Sequence, residues 1–184
     1  MSKNTERKAI DKVFILLGSA ATLTLVVVGA LAWYGYTFAT NMVSSQLAAQ
    51  KIYFPTKDSE AFVSLPEADQ NAIAPYAGQQ LVTGNQARVY ADNYIGSHLK
   101  HIADGKTYSE VSEEAMKNPD DKALAGKKAA LFQGETLRGI LLGTGYAFWT
   151  FGMIAKYVAF AAFGGAIIMA VLVLLGKGHL AKLK

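Results

Sequence analysis

Two long stretches of the chain are almost free of charge, and they frame a polar middle. Residues 13–38 contain no charged side chain, and residues 139–176 contain one, Lys156. Roughly 20 helical residues cross the hydrocarbon layer of a bilayer, so the first stretch predicts one membrane-spanning helix. The second stretch would extend about 57 Å as a helix, which is more than one crossing needs.

The second stretch allows two interpretations. Either residues 157–176 cross while residues 138–156 lie in the outer interface or against a partner, or both halves cross and the chain spans three times. Charge favours two crossings: residues 1–12 carry a net charge of +2, residues 177–184 carry +3, and residues 41–137 carry −3. Short basic flanks stay cytoplasmic. We therefore expect both tails in the cytoplasm.

With two crossings, residues 39–137 form an extracytoplasmic segment between spans 13–38 and 157–176. Aromatic residues support the outer boundaries, because Trp33 ends the first span and Trp149 and Tyr157 begin the second, at the headgroup level where such residues collect. Lys156 would extend outward to the same level, and we expect it to meet lipid headgroups.

Small residues recur at helical spacing in the second span, at Ala162, Ala166 and Ala170. Faces of small residues allow helices to approach closely in lipid. The face either receives a helix of another protein or packs on this protein's own first span through Ala20, Thr24 and Ala32; the pattern does not decide between these interpretations.

The polar middle predicts short helices and no sustained strand. The first helix should continue over 41–50, and Lys51–Pro55 should be extended because the residue before proline avoids helical angles. Capping boxes at Ser64–Glu67 and Thr107–Glu110 open two further helices. The strongest amphipathic pattern covers 84–103, with one apolar face. That face comprises Ala87, Ala91, Tyr94, Ile95, His98, Leu99 and Ile102. A last helix should start at Asn118-Pro119 and run toward the membrane.

Composition narrows the chemistry. Charged residues make up 17% and apolar residues 52%, and there is no cysteine, which excludes disulfides, thiolate metal sites and cysteine nucleophiles. His98 and His101, at i and i+3, could share a metal with Asp92, Asp104 or Glu110, but we expect a half-buried His98 and a surface His101 instead. We predict no catalytic residue, cofactor or metal, and no nucleic-acid partner, since the basic tails are explained by topology.

The junction to the second apolar stretch contains Glu135 and Arg138 at i and i+3, which can form an ion pair. Arg138 lies close enough to the expected headgroup level to bind a lipid phosphate or a partner's carboxylate instead.

Several short motifs together resemble a family of small actinobacterial two-span membrane proteins. They are Lys51–Pro55, Ala77–Leu81, Gln86–Asp92, His98–Lys100, Thr107–Ser112 and Glu135–Gly139. Some members are labelled aromatic ring-opening dioxygenases, but this sequence shows no grouping of two histidines and a carboxylate that would hold iron. Proteins of this size and topology also resemble accessory subunits of the actinobacterial cytochrome bcc–oxidase respiratory supercomplex.

The sequence therefore predicts an all-α plasma-membrane protein that is not an enzyme and docks laterally, as an accessory subunit, to a larger membrane complex. The respiratory oxidase supercomplex and surrounding lipids are the expected partners. The candidate contacts are small or aromatic: Ala162, Ala166, Ala170, Tyr146, Trp149, Phe151, Tyr53 and Phe54. The alternative is an anchored extracytoplasmic protein that binds or senses a lipid or small molecule, which requires a concave apolar pocket.

Overall fold

The computed structural model describes the backbone of residues 3–182 and the side chains of residues 6–182. Within this range all regular structure is helical, apart from one isolated bridge between Tyr53 and Gln80. The chain divides into two compact units: Met1–Phe38 with Gly152–Lys184, which we call the helix-pair unit, and Ala39–Phe151, which we call the central unit.

The helices in the described residues follow one another closely. α1 runs over Lys3–Ala49, and α2 and α3 cover Glu60–Val63 and Glu67–Ile73. A 3₁₀ turn at Ala74–Tyr76 leads to α4 (Gly84–Val89), a π-helical turn (Tyr90–Ile95) and α5 (Gly96–Ile102). Then come α6 (Tyr108–Lys117), α7 (Lys122–Ile140), a second π-helical turn (Leu141–Ala147) and α8 (Phe148–Lys182).

Two helices, one over Glu6–Ala49 and one over Lys122–Lys182, are long enough and apolar enough to cross a membrane. Residues 139–155, whose placement in the membrane, at the interface or on a partner the sequence left open, belong to the second helix without a break other than its π-helical turn. The first helix continues past residue 41 as expected and ends at Ala49.

In the helix-pair unit, α1 and α8 meet along a seam with alternating spacings of three and four residues. This is the spacing of antiparallel and parallel coiled coils alike, because it keeps one stripe of each helix facing its neighbour. Buried and half-buried positions that follow this spacing on α1 are 11, 15, 18, 22, 25, 29, 32 and 36. On α8 the positions that follow it are 152, 155, 159, 162, 166, 169, 173, 176 and 180.

Glycines set the register of this seam. A Cβ atom added at Gly18 would lie 2.7 Å from Val173 Cγ2, and one at Gly29 would lie 2.7 Å from the ring of Phe163. A Cβ at Gly176 would meet Ile15 at 3.3 Å. Contacts that descend along α8 as they ascend along α1 show an antiparallel pair, with each large side chain seated over a glycine.

The outside of the helix-pair unit is apolar. Large side chains such as Phe14, Leu17, Leu31, Ile167 and Leu175 are each at least 59% exposed. Water would penalise so much exposed hydrocarbon, at about 25 cal/mol for each Å². The surface suits lipid or an apolar partner.

The central unit has two small apolar cores. The larger includes Phe54, Ile73, Leu81, Ala87 and Leu141, and the smaller is formed by Leu99, Ala103, Val111 and Leu131. Ile73, Leu81, Ala87 and Ala91 are completely inaccessible to solvent. The extended segment before Pro55 delivers Phe54 into the larger core, because hydrogen bonds from Phe54 N to Gln79 O and from Leu81 N to Ile52 O align the two segments.

The helix predicted over 84–103 is present, but its buried face shifts by one residue midway. Ala87 and Ala91 are buried as the pattern requires, whereas His98 is exposed and Ile102 is 37% exposed. The residues that directly follow these two, Leu99 and Ala103, are buried. The π-helical turn at Tyr90–Ile95 accounts for this, because a wider turn inserts one residue and rotates everything after it.

The predicted helix ends were partly right. The capping box of α6 is confirmed: Glu110 N donates to Thr107 Oγ1 at 3.3 Å, and Thr107 N donates to Glu110 Oε2 at 2.7 Å. The hydrogen bonds that the Thr107 amide and hydroxyl donate to the Glu110 carboxyl lower its pKa. The box at Ser64 is wrong, because Ser64 N caps the end of the short helix α2 and Pro66 precedes α3 without a side-chain cap. The last helix is capped by Asp121 rather than Asn118.

Candidate docking surface

The central unit also contains a pair of helical segments that approach each other closely at glycine residues. The α4–α5 segment runs antiparallel to α7 and its π-helical turn, with close approaches at four glycines. A Cβ added at Gly84 would lie 2.2 Å from Trp149 Cβ, and one at Gly134 would lie 2.4 Å from Leu99 Cδ2. At Gly145 it would lie 3.2 Å from Ala87, and at Gly96 3.4 Å from Arg138 Nε. The glycines alternate between the two partners, which locks their register.

Arg138 fastens the two partners at the first π-helical turn. A π turn pairs each carbonyl with the amide five residues later, and Ala91 O indeed accepts from Gly96 N. Arg138 Nε donates a second hydrogen bond to the same oxygen at 3.0 Å. Its guanidinium also contacts Glu135 at 2.8 Å and Asp92 at 3.3 Å. The Glu135–Arg138 pair anticipated from the sequence therefore exists, within a larger network.

The network leaves Arg138 little capacity for a lipid headgroup. Its side chain is 25% exposed, and all three guanidinium nitrogens already donate to protein acceptors. It forms one wall of a polar basin of about 700 Å³ that also contains Asp69, Lys100 and Lys106. Acidic and basic groups alternate in this basin, so it presents no net field to attract one class of ion.

A groove in the central unit lies between residues 42–52 and 137–148, and we call it the lateral groove. It contains two adjoining cavities of about 250 and 220 Å³. Leu47, Ile52 and Leu141 contribute to its apolar floor, while Gln46 and Thr144 add polar groups at the rim. Met42, Leu137 and Ile140 beside it are 40–53% exposed. Large apolar side chains exposed next to an apolar groove are typical of an interaction surface.

Two glycines of the helix that borders the groove have open space beside them, and one of them, Gly143, lines the groove. Gly139 and Gly143 are exposed, and a Cβ atom added at either one would meet no other atom within 4 Å. They are four residues apart in an apolar helix, the spacing that lets a second helix approach closely. The sequence reasoning missed this pair, although the GxxxG pattern from Gly139 to Gly143 is visible in the sequence.

A row of five rings crosses the central unit from Tyr76 to His98. Successive ring centroids lie 4.6–5.4 Å apart, in the order Tyr76, Phe54, Tyr90, Tyr94 and His98. Burial of the Tyr90 hydroxyl, and to a smaller degree the neighbouring Tyr94, raises the pKa of Tyr90 to about 12. The row packs the first π-helical turn against the segment before Pro55.

His98 and His101 do not form part of a metal site in the structure. His98 Nδ1 lies 2.8 Å from Tyr94 O, its ring rests on Tyr94, and it is exposed rather than half-buried. His101 lies at the surface as expected. Over the side chains described, no three His, Asp or Glu residues come together as metal ligands.

The structure distributes the predicted contact residues unevenly. Tyr53 and Phe151 are exposed at 57% and 69%. Phe54, Ala162 and Ala166 are 2–6% exposed and therefore inaccessible, while Tyr146, Trp149 and Ala170 are half-buried. Tyr146 stacks under Arg88, with the guanidinium carbon 5.0 Å from the ring centre.

The small-residue face of α8 packs inside the helix-pair unit. Of the residues proposed to receive it on α1, Ala20 and Thr24 are exposed and Ala32 is half-buried; Gly18 and Gly29 provide the close contacts instead. Lys156 is half-buried, with its ammonium 5.3 Å from the centre of the Tyr36 ring.

Comparison with known proteins adds no relative. No protein-family model, curated protein or solved structure matches this chain. The geometry of the chain itself must therefore carry the functional argument.

Proposed function

We propose that the chain is a non-catalytic accessory subunit that crosses the plasma membrane twice and docks laterally on a larger membrane complex. Both basic ends lie in the cytoplasm, and the central unit lies outside. The support for this placement is the charge distribution along the sequence together with two helices of sufficient length and apolar character. The basic ends include residues 1, 2, 183 and 184, which lie outside the described residues.

The observation that carries the docking proposal is the lateral groove with the unobstructed Gly143 in its lining and the unobstructed Gly139 four residues before it. On the predicted small-residue face of α8, Ala162 and Ala166 are buried and Ala170 is half-buried, so this face is not open to a partner helix. Gly139 and Gly143 instead leave open space beside exposed Leu137 and Ile140. A partner helix seated there would cover apolar side chains that otherwise contact solvent, at close backbone separation.

The identity of the partner rests on resemblance. The motifs described above resemble those of small actinobacterial membrane proteins, and size and topology resemble accessory subunits of the cytochrome bcc–oxidase supercomplex. We propose this supercomplex as the partner. Exposed Tyr53 and Phe151 extend the candidate contact surface on the central unit.

Affinity purification tests this proposal with one substitution and one matched control. Tagged protein is isolated in mild detergent from native membranes and analysed by mass spectrometry and by reduced-minus-oxidised visible spectra. Gly143→Leu fills the groove's rim, whereas Gly126→Leu makes the same change at another open position of the same long helix. Leucine is a better helix former than glycine, by up to about 1 kcal/mol, so lost binding would not reflect a weakened helix.

We expect stoichiometric haem-containing subunits with the unmodified protein and with Gly126→Leu, and their loss with Gly143→Leu. An unmodified protein that elutes alone would overturn the accessory-subunit proposal. Haem subunits retained by Gly143→Leu would instead show that docking uses another surface.

The alternative, capture of a lipid or small molecule, would use the same groove. Its two adjoining cavities together reach the volume of a small ligand site, and docking is favoured because Leu137 and Ile140 leave large apolar surface exposed beside them. A single lipid or small-molecule species at stoichiometric amount in a partner-free eluate would support the alternative.

A further inference from the structure

A second cleft lies in the helix-pair unit, at the end where both helices become basic. Its volume is about 210 Å³, and its walls are apolar side chains of α1 and α8, including Phe14, Ile15, Met169 and Leu172. Gly18 and Gly176 lie along it and Asp11 is its one charged residue. The cleft thus joins an apolar trough to the first charged positions after the apolar stretches.

Asp11 presents an unsatisfied acceptor in this cleft. Its Oδ2 atom is shielded from solvent and accepts no hydrogen bond from the described residues. Among the described residues, the nearest basic group is His179, whose Nε2 lies 4.0 Å away, within ion-pair range but beyond hydrogen-bond distance. A shielded oxygen without a hydrogen-bond donor is unfavourable, so a donor from a bound molecule would stabilise this position.

The surrounding charge calls for an anion. The first turns near the cleft carry Arg7, Lys8 and Lys12, and the end of α8 carries Lys177 and Lys182, against Glu6 and Asp11. Lys12 directly precedes the first of the two apolar stretches that form the cleft, and Lys177 directly follows the second. Basic pockets between helices at a cytoplasmic boundary attract anionic lipid headgroups.

We propose that this cleft binds one anionic phospholipid whose headgroup carries hydroxyl groups, as in phosphatidylglycerol. Its phosphate lies among Lys12 and Lys177, a headgroup hydroxyl donates to Asp11 Oδ2, and an acyl chain lies along Gly18 and Gly176. A headgroup phosphate without an acyl chain would leave the apolar part of the cleft unfilled. A lipid without the headgroup hydroxyl would leave Asp11 Oδ2 without a donor. The site requires the folded helix pair but no protein partner.

Native mass spectrometry of the full chain in detergent tests the site with three lipids of equal chain length. Phosphatidylglycerol has the charge and the hydroxyls, phosphatidylmethanol has the charge alone, and phosphatidylcholine has no net charge. Glycerol 3-phosphate serves as the chain-free headgroup. Because the measurement involves no partner protein, its outcome is independent of the docking proposal.

We expect phosphatidylglycerol to bind about tenfold more tightly than phosphatidylcholine and severalfold more tightly than phosphatidylmethanol, with no binding of glycerol 3-phosphate. Equal binding of phosphatidylglycerol and phosphatidylcholine would overturn the site. Equal binding of phosphatidylglycerol and phosphatidylmethanol would overturn the role of Asp11.

Two pairs of variants assign the roles. Asp11→Ala should abolish the preference for phosphatidylglycerol over phosphatidylmethanol, whereas Glu6→Ala, which removes an exposed acidic group from the same end, should keep it. Lys12→Gln with Lys177→Gln should reduce the preference for anionic lipid about tenfold, whereas Lys156→Gln at the other end of the helix pair should not. If neither Asp11→Ala nor the double lysine change altered the lipid selectivity, the assignment would be contradicted.

Discussion

Both units are built around an antiparallel helix pair whose glycines receive large side chains, yet the two pairs obtain their register differently. In the helix-pair unit, Gly18 and Gly29 lie under the side-chain ends of Val173 and Phe163 along an unbroken repeat of threes and fours. In the central unit, Gly84 lies under the Cβ of Trp149, and π-helical turns interrupt both partners.

The difference lies in what holds each pair together. The seam of the helix-pair unit consists mainly of apolar and small side chains, whose packing contacts are not directional. The pair in the central unit is fixed by Arg138, which bonds to a backbone oxygen and to two carboxylates at once. Directional hydrogen bonds have one satisfying geometry, so we expect the central unit to be the less tolerant of change.

The largest expected effect is at Gly84. Gly84→Ala places a Cβ 2.2 Å from Trp149 Cβ, an atom bonded to the backbone that no side-chain rotation can move. Relief requires the helices to separate, and we expect a loss of at least ~3 kcal/mol in the free energy of unfolding of the central unit. The protein has two tryptophans, so in a Trp33→Phe background the fluorescence of Trp149 follows this unit alone.

Gly126→Ala is the matched control for Gly84→Ala, because its added Cβ meets nothing within 4 Å. It should stabilise the helix by up to about 1 kcal/mol. Equal stability of the two variants would mean that the close approach at Gly84 is absent.

The second effect, at Arg138, tests the fastening directly. Arg138→Met keeps most of the packing volume but leaves Glu135 and Asp92 without their cation and Ala91 O with one donor fewer. The side chain is one-quarter exposed, so water can compensate in part, and we expect a loss of about 2 kcal/mol. Thermal unfolding followed by Trp149 fluorescence measures it.

Arg88→Met provides the comparison, because Arg88 also bridges to the continuation of α7, through the ring of Tyr146 and a 3.4 Å hydrogen bond to the Tyr146 hydroxyl at the surface. An exposed contact of this kind contributes about 0.5–1 kcal/mol. Arg138→Lys should fall between the two, since lysine keeps the charge without the planar fork. A smaller loss for Arg138→Met than for Arg88→Met would contradict the role of the network.

The same contrast explains what the sequence could predict. The apolar stretches, the helix over 84–103 and the capping box at Thr107 depend on local composition and spacing, and all three are present. The one-residue shift after Tyr90 depends on a π-helical turn whose carbonyl at Ala91 is bonded by Arg138, 47 residues later in the sequence. No local pattern records that contact, and so the exposure of His98 and Ile102 could not be anticipated.

The docking surface shows a similar limit. Gly139 and Gly143 are recognisable in the sequence by their spacing, but so is the alanine face of α8, and the patterns alone do not reveal which one remains accessible. Ala162 and Ala166 are buried in the seam between α1 and α8, while Gly139 and Gly143 remain exposed. Phe54 is likewise an aromatic residue before proline that the sequence suggests for a contact surface. In the structure the bridge between Tyr53 and Gln80 directs its side chain into the core.

A third, smaller effect is expected in the helix-pair unit. Gly29→Ala brings a Cβ to 2.7 Å from the ring of Phe163, which lies at the end of a side chain that can rotate aside. We expect a loss of only about 1 kcal/mol, at the lower end of the cost of overfilling a packed site. In a Trp149→Phe background, the fluorescence of Trp33 follows this unit during thermal unfolding in detergent.

Gly164→Ala on α8, where an added Cβ meets no atom within 4 Å, is the control for Gly29→Ala. It should not destabilise the unit. If Gly29→Ala were as damaging as Gly84→Ala, the proposed difference in tolerance between the two units would not exist.

The smallest effect concerns the ring row of the central unit at high pH. Burial raises the pKa of Tyr90 from 10 in the unfolded chain to about 12 in the folded protein. Between these pH values the folded state keeps a proton that the unfolded state has lost. The free energy of unfolding should therefore decline as pH rises from about 10 to about 12, and Tyr90 should not change it below that window. Absorbance of the phenolate, recorded as pH is raised, should show one transition near 12 that is missing in Tyr90→Phe. Tyr53→Phe, which removes a hydroxyl from an exposed ring, should leave that transition in place. If the transition near 12 persisted in Tyr90→Phe, the most strongly shielded phenol would belong to another residue, and the packing of the ring row against the first π-helical turn would need to be reassigned.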